Sequence, residues 1–186
     1  MSVSAAVPSL IEKSENKTFA NSLAIITGVA LIALLAQMAI PLPWTPVPIT
    51  GQTLGVTLVA LSWGWKRSSI AMGLYLVLGS LGLPFFASVG ALGATSGYLV
   101  GMLFSSVAMG YLADLGWTNS FKKALAAAYI GSFIVLGTGL LVLSYFMPSD
   151  TLLAAGLLPF LPGDFLKNVI AASISVKAKS QLSSDS

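Results

Sequence analysis

Between Thr18 and Trp65 the chain carries no charged side chain. The same holds between Ser68 and Ala113, and again between Ala124 and Ser149. Blocks of this length cannot coat a water-soluble fold, which carries about a quarter of its residues as charges. Here 8% of 186 residues are charged and 56% are hydrophobic. A soluble enzyme, a nucleic-acid-binding domain and a disordered chain are excluded, and a single polytopic membrane domain is predicted. The sequence pI of about 9.3 reflects basic residues at the membrane surface rather than a nucleic-acid partner.

A membrane helix needs about 20 mostly apolar residues, so each of the first two blocks holds two spans. Turn chemistry divides them. Residues 41–48, PLPWTPVP, place a proline at every second or third position and must run extended. They separate helix 1 (20–40) from helix 2 (49–65). The stretch around Ser88, Gly90 and Gly93 separates helix 3 (68–87) from helix 4 (94–115). Helix 5 covers 122–147. After TLLAAGLLPFLPG at 151–163, a last helix runs to residue 180. The predicted fold is all-α with six spans over 19–180, flanked by a flexible segment at 1–18 and a flexible tail at 181–186. Ala36-Gln37-Met38-Ala39 offers only a loose cleavage pattern, and the apolar run is long for a signal, so helix 1 is expected to stay as a span.

Charge placement sets the orientation. With both termini cytoplasmic, the inner segments hold Lys13, Lys17, Lys66, Arg67, Lys122, Lys123, Lys177 and Lys179, while 41–48 and 88–93 hold no Lys or Arg. Trp44 at the outer edge, and Trp63, Trp65 and Trp117 at the inner edge, form an aromatic belt. The expected location is the cell membrane, multi-pass.

Lys167 breaks this pattern. If Lys177 marks the inner surface, Lys167 stands about 15 Å above it and Asp164 about 20 Å, at 1.5 Å per residue, in a hydrocarbon core about 30 Å thick. Following Pro162-Gly163, Asp164 suits a helix N-cap or first turn, where the dipole favours an anion; Lys167 in that first turn is disfavoured. A charge at this depth costs on the order of 3 kcal/mol and must face protein or a water-filled cavity. Residues 151–163 must then be a broken element filling the remaining depth. Spacing i, i+3 puts Asp164 and Lys167 on one face. Two readings remain open: a structural ion pair, or a site for a polar ligand with donors and acceptors, or with a carboxylate.

Other features are weaker. Thr45, Thr50, Gln52 and Thr53, at the outer start of helix 2, either bind a ligand or satisfy backbone near the proline-rich turn. Tyr75, Tyr98, Phe85, Phe86 and Phe160 can wall a pocket. Ala20, Ala24 and Gly28 on helix 1, and Gly93, Gly97, Gly101 and Ser105 on helix 4, form small-residue stripes, used either for packing within the chain or for docking a partner. The chain has no Cys and no His. Thiolate chemistry, His-ligated metals and Ser-His-Asp triads are therefore excluded. There is no phosphate-binding G-x-x-x-x-G-K-[ST], and the acids do not cluster, so no catalytic residue, metal site or cofactor is expected.

Four segments carry a resemblance to a known family: TPVPITGQTLGV at 45–56, LYLVLGSLGLPFFA at 74–87, GATSGYLVG at 93–101 and PFLPGDFLKNVIAA at 159–172. Together they resemble BioY, the biotin-binding S components of energy-coupling factor transporters. The resemblance implies a six-helix membrane subunit that captures biotin from outside, in a pocket closed by the outer loops. The family's acid and lysine map onto Asp164 and Lys167; Thr50, Gln52, Thr95 and Tyr98 join them as expected binding residues. It also implies a transmembrane coupling subunit, met by a small-residue motif on helix 1 (here Ala20, Ala24 and Gly28), and two cytoplasmic ATPases. Gly93-Ala94-Thr95-Ser96-Gly97-Tyr98 departs from the usual Gly-Pro-Thr-Gly-Gly-Tyr, and the Ser88–Leu92 loop, expected to act as a lid, looks shortened. Alternatives are an S component for a different vitamin, or a facilitator or channel that needs no ATPase.

Overall fold

Helices of an apolar chain stop where the backbone cannot continue them, and the observed boundaries follow such breaks. The computed structural model describes residues 5–12, 14–87 and 92–184. In chain order they form α1 (Ala6–Glu12), α2 (Lys17–Ala36), β1 (Ala39–Ile40), β2 (Ile49–Thr50), α3 (Gln52–Trp63), α4 (Trp65–Ser80), α5 (Ser96–Asp114), a 3-10 turn (Trp117–Asn119), α6 (Phe121–Leu143), α7 (Ser149–Gly156) and α8 (Leu161–Ser184). Ser88 and Gly90, expected in a loop, lie outside the described residues.

The proline-rich segment is not helical, as its composition demands, but it is not a straight extended run either: it turns at Pro43-Trp44, with the Thr45 N–H donating to the Leu42 carbonyl at 3.4 Å. It is the loop of a small antiparallel ribbon in which Ala39 pairs with Thr50 and Ile40 with Ile49. The ribbon returns the chain to the start of α3. Between α3 and α4 the break is one residue, Gly64, at φ 76°, where a side chain would be strained and would collide with the Asp114 carboxylate. Asp114 Oδ2 accepts from the Trp65 backbone N–H at 3.0 Å and so caps the start of α4. This corner lets α4 begin three residues before the expected 68. It ends at Ser80, ahead of the turn through Gly82 at φ 92° and Pro84.

Among the described residues, four segments are long and apolar enough to cross a membrane: α2, α5, α6 and the stretch Ser149–Leu182, which takes in α7 and most of α8; α3 is shorter. Large apolar side chains cover the outside, among them Phe133 at 81% exposed and Leu34 at 69%. Such a surface suits lipid, not water. Inside, Tyr75, Ile32, Leu61, Met72, Met109 and Leu143 are fully buried.

Glycines bring α5 and α6 together. A Cβ at Gly97 or Gly101 would run into Thr138 and its neighbours on α6, one at Gly131 into Met109, and one at Gly139 into the Tyr98 ring. The α5 stripe therefore serves packing within the chain. The helix 1 stripe does too. Ala24 and Gly28 are buried; Trp63 Nε1 donates to the Ala24 carbonyl at 2.7 Å, and a Cβ on Gly28 would meet Ala71 at 3.2 Å and Val59 at 3.3 Å. Of the expected docking face of Ala20, Ala24 and Gly28, α3 and α4 cover the last two members, and Ala20 is half-buried.

Both ends depart from expectation as well. Ala6, Pro8 and Ile11 of α1 are buried, so part of the expected flexible 1–18 segment is a docked helix. The last helix continues to Ser184 instead of ending at 180.

Candidate functional site

The site is assembled where α8 begins. Leu161 and Pro162 open the helix, and proline is tolerated there because the first turn has N–H groups without helical partners. Asp164 falls in the first turn, as expected. Lys167, expected in that turn too, sits in the second, because the helix starts at Leu161 and not at Asp164. The helix-dipole penalty on its cation is smaller for that reason.

The two charged groups do not form a direct pair. Asp164 Oδ1 accepts from Ser132 Oγ on α6 at 2.8 Å, and Oδ2 accepts from Asn168 Nδ2 at 3.0 Å. Asn168 Nδ2 also donates to Ser132 Oγ at 2.8 Å, closing a triangle. Lys167 Nζ reaches the other way. It donates to the Thr50 carbonyl at 2.7 Å and to Thr53 Oγ1 at 3.2 Å. Among the described residues, Asp164 and Lys167 are thus each held by other groups, and the structural ion pair considered from sequence is not formed.

Capacity is left over at both. A carboxylate has about four lone-pair directions, and two are used here; an ammonium has three N–H groups, and two are used. The spare acceptors and the spare donor belong to residues that line one cavity. Thr50, Gln52, Thr95 and Tyr98 line it as well, so all six expected binding residues come together. Its space, open mouth included, is about 690 Å³.

The walls are apolar. Phe86, Leu99, Met102, Val135, Leu136 and Phe160 supply them, with Val47 and Pro48 from the proline-rich segment. Tyr98 presents its ring, because its hydroxyl donates to the Gly156 carbonyl at 2.7 Å; the Phe160 ring lies 6.1 Å away. The Thr50 hydroxyl accepts from the Gln52 backbone N–H at 3.3 Å, which shapes the start of α3. Thr53 lines the cavity, whereas Thr45, Tyr75 and Phe85 do not. Thr45 Oγ1 accepts from the Val47 backbone N–H at 3.2 Å, a local turn bond.

Sequence reasoning missed Ser132 and Asn168. Asn168 stands at i+4 from Asp164, a spacing that could have drawn it in. Ser132 carries no such signal; only the approach of α6 to α8 makes it a partner. A second space, about 220 Å³, lies against the first and is lined by Thr57, Ser105, Ser132 and Asp164 among others.

An apolar-coated helical bundle around a cavity lined by one acid and one lysine is that of an integral membrane protein. Comparison with known proteins makes this particular. The BioY family model matches residues 12–184. The chain is 36% identical over 156 residues to the biotin transporter BioY of Thermotoga maritima, covering 81% of this chain and 90% of that one. It is 34% identical over 155 residues to the biotin transporter BioY of Rhizobium etli, covering 76% and 83%. A solved structure, the S-component for biotin from an ECF-type ABC transporter, superposes with a TM-score of 0.80 at 28% identity, covering 90% of this chain and 94% of that one. The chain belongs to the BioY family. It is a multi-pass membrane protein of a transport family, not an enzyme.

Proposed function

We propose that this chain is the substrate-capture subunit for biotin uptake. It takes biotin from the outer side into the Asp164/Lys167 cavity and delivers it with an ATP-driven coupling module. The six helices α2, α3, α4, α5, α6 and α8 are its spans, with both termini cytoplasmic. The observation that carries the reading is spare hydrogen-bonding capacity of both signs in a largely apolar cavity. Biotin offers a ureido group with N–H donors and a carbonyl acceptor, on a fused ring with an apolar chain. Asp164 accepts from a ureido N–H, and the third N–H of Lys167 donates to the ureido oxygen. The aromatic and aliphatic walls enclose the ring and chain.

Two features of the comparisons support the ligand and the partner. The curated relatives are biotin transporters, and the solved neighbour is a biotin S-component of an ECF-type transporter. The coupling module in this reading is a transmembrane subunit with two cytoplasmic ATPases. Calorimetric titration of the purified protein with biotin tests the proposal. Saturable binding at nanomolar concentration is expected, and no binding at micromolar biotin overturns it.

A further inference from the structure

Gln52 is only 4% exposed, yet among the described residues only its Nε2 has a side-chain hydrogen-bond partner. Its Nε2 is hydrogen-bonded to the Tyr75 hydroxyl at 2.9 Å. Its Oε1 takes no hydrogen bond from the described residues, and no fully enclosed polar side-chain atom among them is left unpaired. The oxygen therefore opens onto the space that Gln52 lines, which is the ligand cavity.

Which end of an amide faces a cavity is decided by the hydrogen-bond network around it. Here the network leaves one solution. Tyr75 is fully buried, and its hydroxyl lies 3.0 Å from the Phe85 carbonyl oxygen. A carbonyl can only accept, so the single phenolic proton goes to Phe85. The tyrosine oxygen can then only accept from Gln52, and must be given the NH₂ group. Phe85 is held in place independently: Gln37 Nε2 donates to the carbonyls of Pro84 at 3.1 Å and Phe85 at 3.3 Å. The Tyr75 ring is also fixed, stacked on Phe85 at 6.4 Å and edge-on to Phe86 at 5.6 Å.

We propose that Tyr75 is a positioning residue that turns the Gln52 carboxamide so that its carbonyl oxygen faces the cavity as an acceptor for a ligand N–H. The cavity is then lined by two acceptors, Asp164 and Gln52, and one donor, Lys167. Lys167 is held near the start of α3, where Gln52 lies, since its ammonium donates to the Thr50 carbonyl and to Thr53 Oγ1. A ureido group offers two N–H donors and one carbonyl acceptor, which matches that set in number and sign. The inference rests on the biotin reading for the identity of the ligand, but not for the orientation of the amide.

A double-mutant cycle with biotin tests it. Tyr75→Phe keeps the ring and removes both hydrogen bonds; Gln52→Met removes the acceptor. Each single variant is expected to raise Kd about tenfold, and the double variant no further than Gln52→Met alone. Additive losses, or a Tyr75→Phe variant that binds as wild type, would overturn the proposal. A ligand-free arm separates this from failure of the biotin reading. The chain has three glutamines, Gln37, Gln52 and Gln181. Side-chain amide signals of glutamine-labelled protein can be assigned to Gln52 by their loss in Gln52→Met. One slowly exchanging, shifted Gln52 proton is expected, and Tyr75→Phe should abolish it. A Gln52 amide unchanged by Tyr75→Phe overturns the positioning role even if biotin does not bind.

Discussion

Replacing Asp164 with Asn exchanges one oxygen for an NH₂ group and leaves the volume almost unchanged. The environment of that group makes the exchange costly. Ser132 donates to one carboxylate oxygen and Asn168 to the other, at 2.8 and 3.0 Å. An asparagine can turn its oxygen toward only one of them. With the oxygen toward Asn168, the new NH₂ faces Ser132 Oγ, which can accept it on its second lone pair, but the Ser132 proton then loses its acceptor. With the oxygen toward Ser132, two amino groups face each other. Leaving one such buried donor unsatisfied costs about 1–3 kcal/mol. The ligand also loses a charge-assisted bond, worth about 1.5–3 kcal/mol. Only the second loss, with part of the first, falls on binding rather than folding, so about 3 kcal/mol is expected. That is roughly a hundredfold rise in Kd. Calorimetry on the purified variant reads it, with Lys123→Ala as an exposed control. A Kd within threefold of wild type, in a variant of unchanged stability, would refute the role assigned to Asp164.

Further outcomes follow from the same structure. Lys167→Met should weaken biotin binding at least tenfold while keeping the side-chain volume; unchanged binding by calorimetry would assign the ammonium to holding Thr50 and Thr53 alone. Ala24→Trp should lower the thermal midpoint and the yield of folded protein, because the site is buried beneath Trp63; a variant as stable as wild type would return the α2 stripe to partner docking. Gly139→Ala should destabilise, since its methyl group meets the Tyr98 ring, whereas Gly137→Ala, with open space around it, should be neutral or stabilising by up to about 1 kcal/mol. Thermal unfolding in one detergent compares the pair, and equal midpoints would refute the packing assigned to Gly139.

Much of the site could be read along the chain because charge is so scarce in it. Asp164 and Lys167 stood out at a depth where no charge belongs, and PFLPGDFLKNVIAA carried them into a family pattern. Thr50 and Gln52 came with the proline-rich segment beside them. What could not be read was how these groups are held. The direct contact suggested by i, i+3 spacing gives way to Ser132 and Asn168 on one side and Thr50 and Thr53 on the other. The stripe of Ala20, Ala24 and Gly28 shows a related limit. Small residues permit close approach, but do not say which helix approaches. Here Trp63 and Ala71 of the same chain do so.

Hydropathy and charge are properties of the linear chain, so the sequence alone determined the membrane class, the breaks between helices and the residues most costly to bury. The polarity of the cavity is a different matter. It depends on which donors reach Asp164, where the Lys167 ammonium turns and how Tyr75 orients Gln52. Each depends on a hydrogen bond a few ångströms long between groups far apart in the chain: residue 132 with 164, 50 with 167, 52 with 75. Only the packing of α3, α4, α6 and α8 brings those pairs within reach, and so decides which faces of the same side chains are left for a ligand.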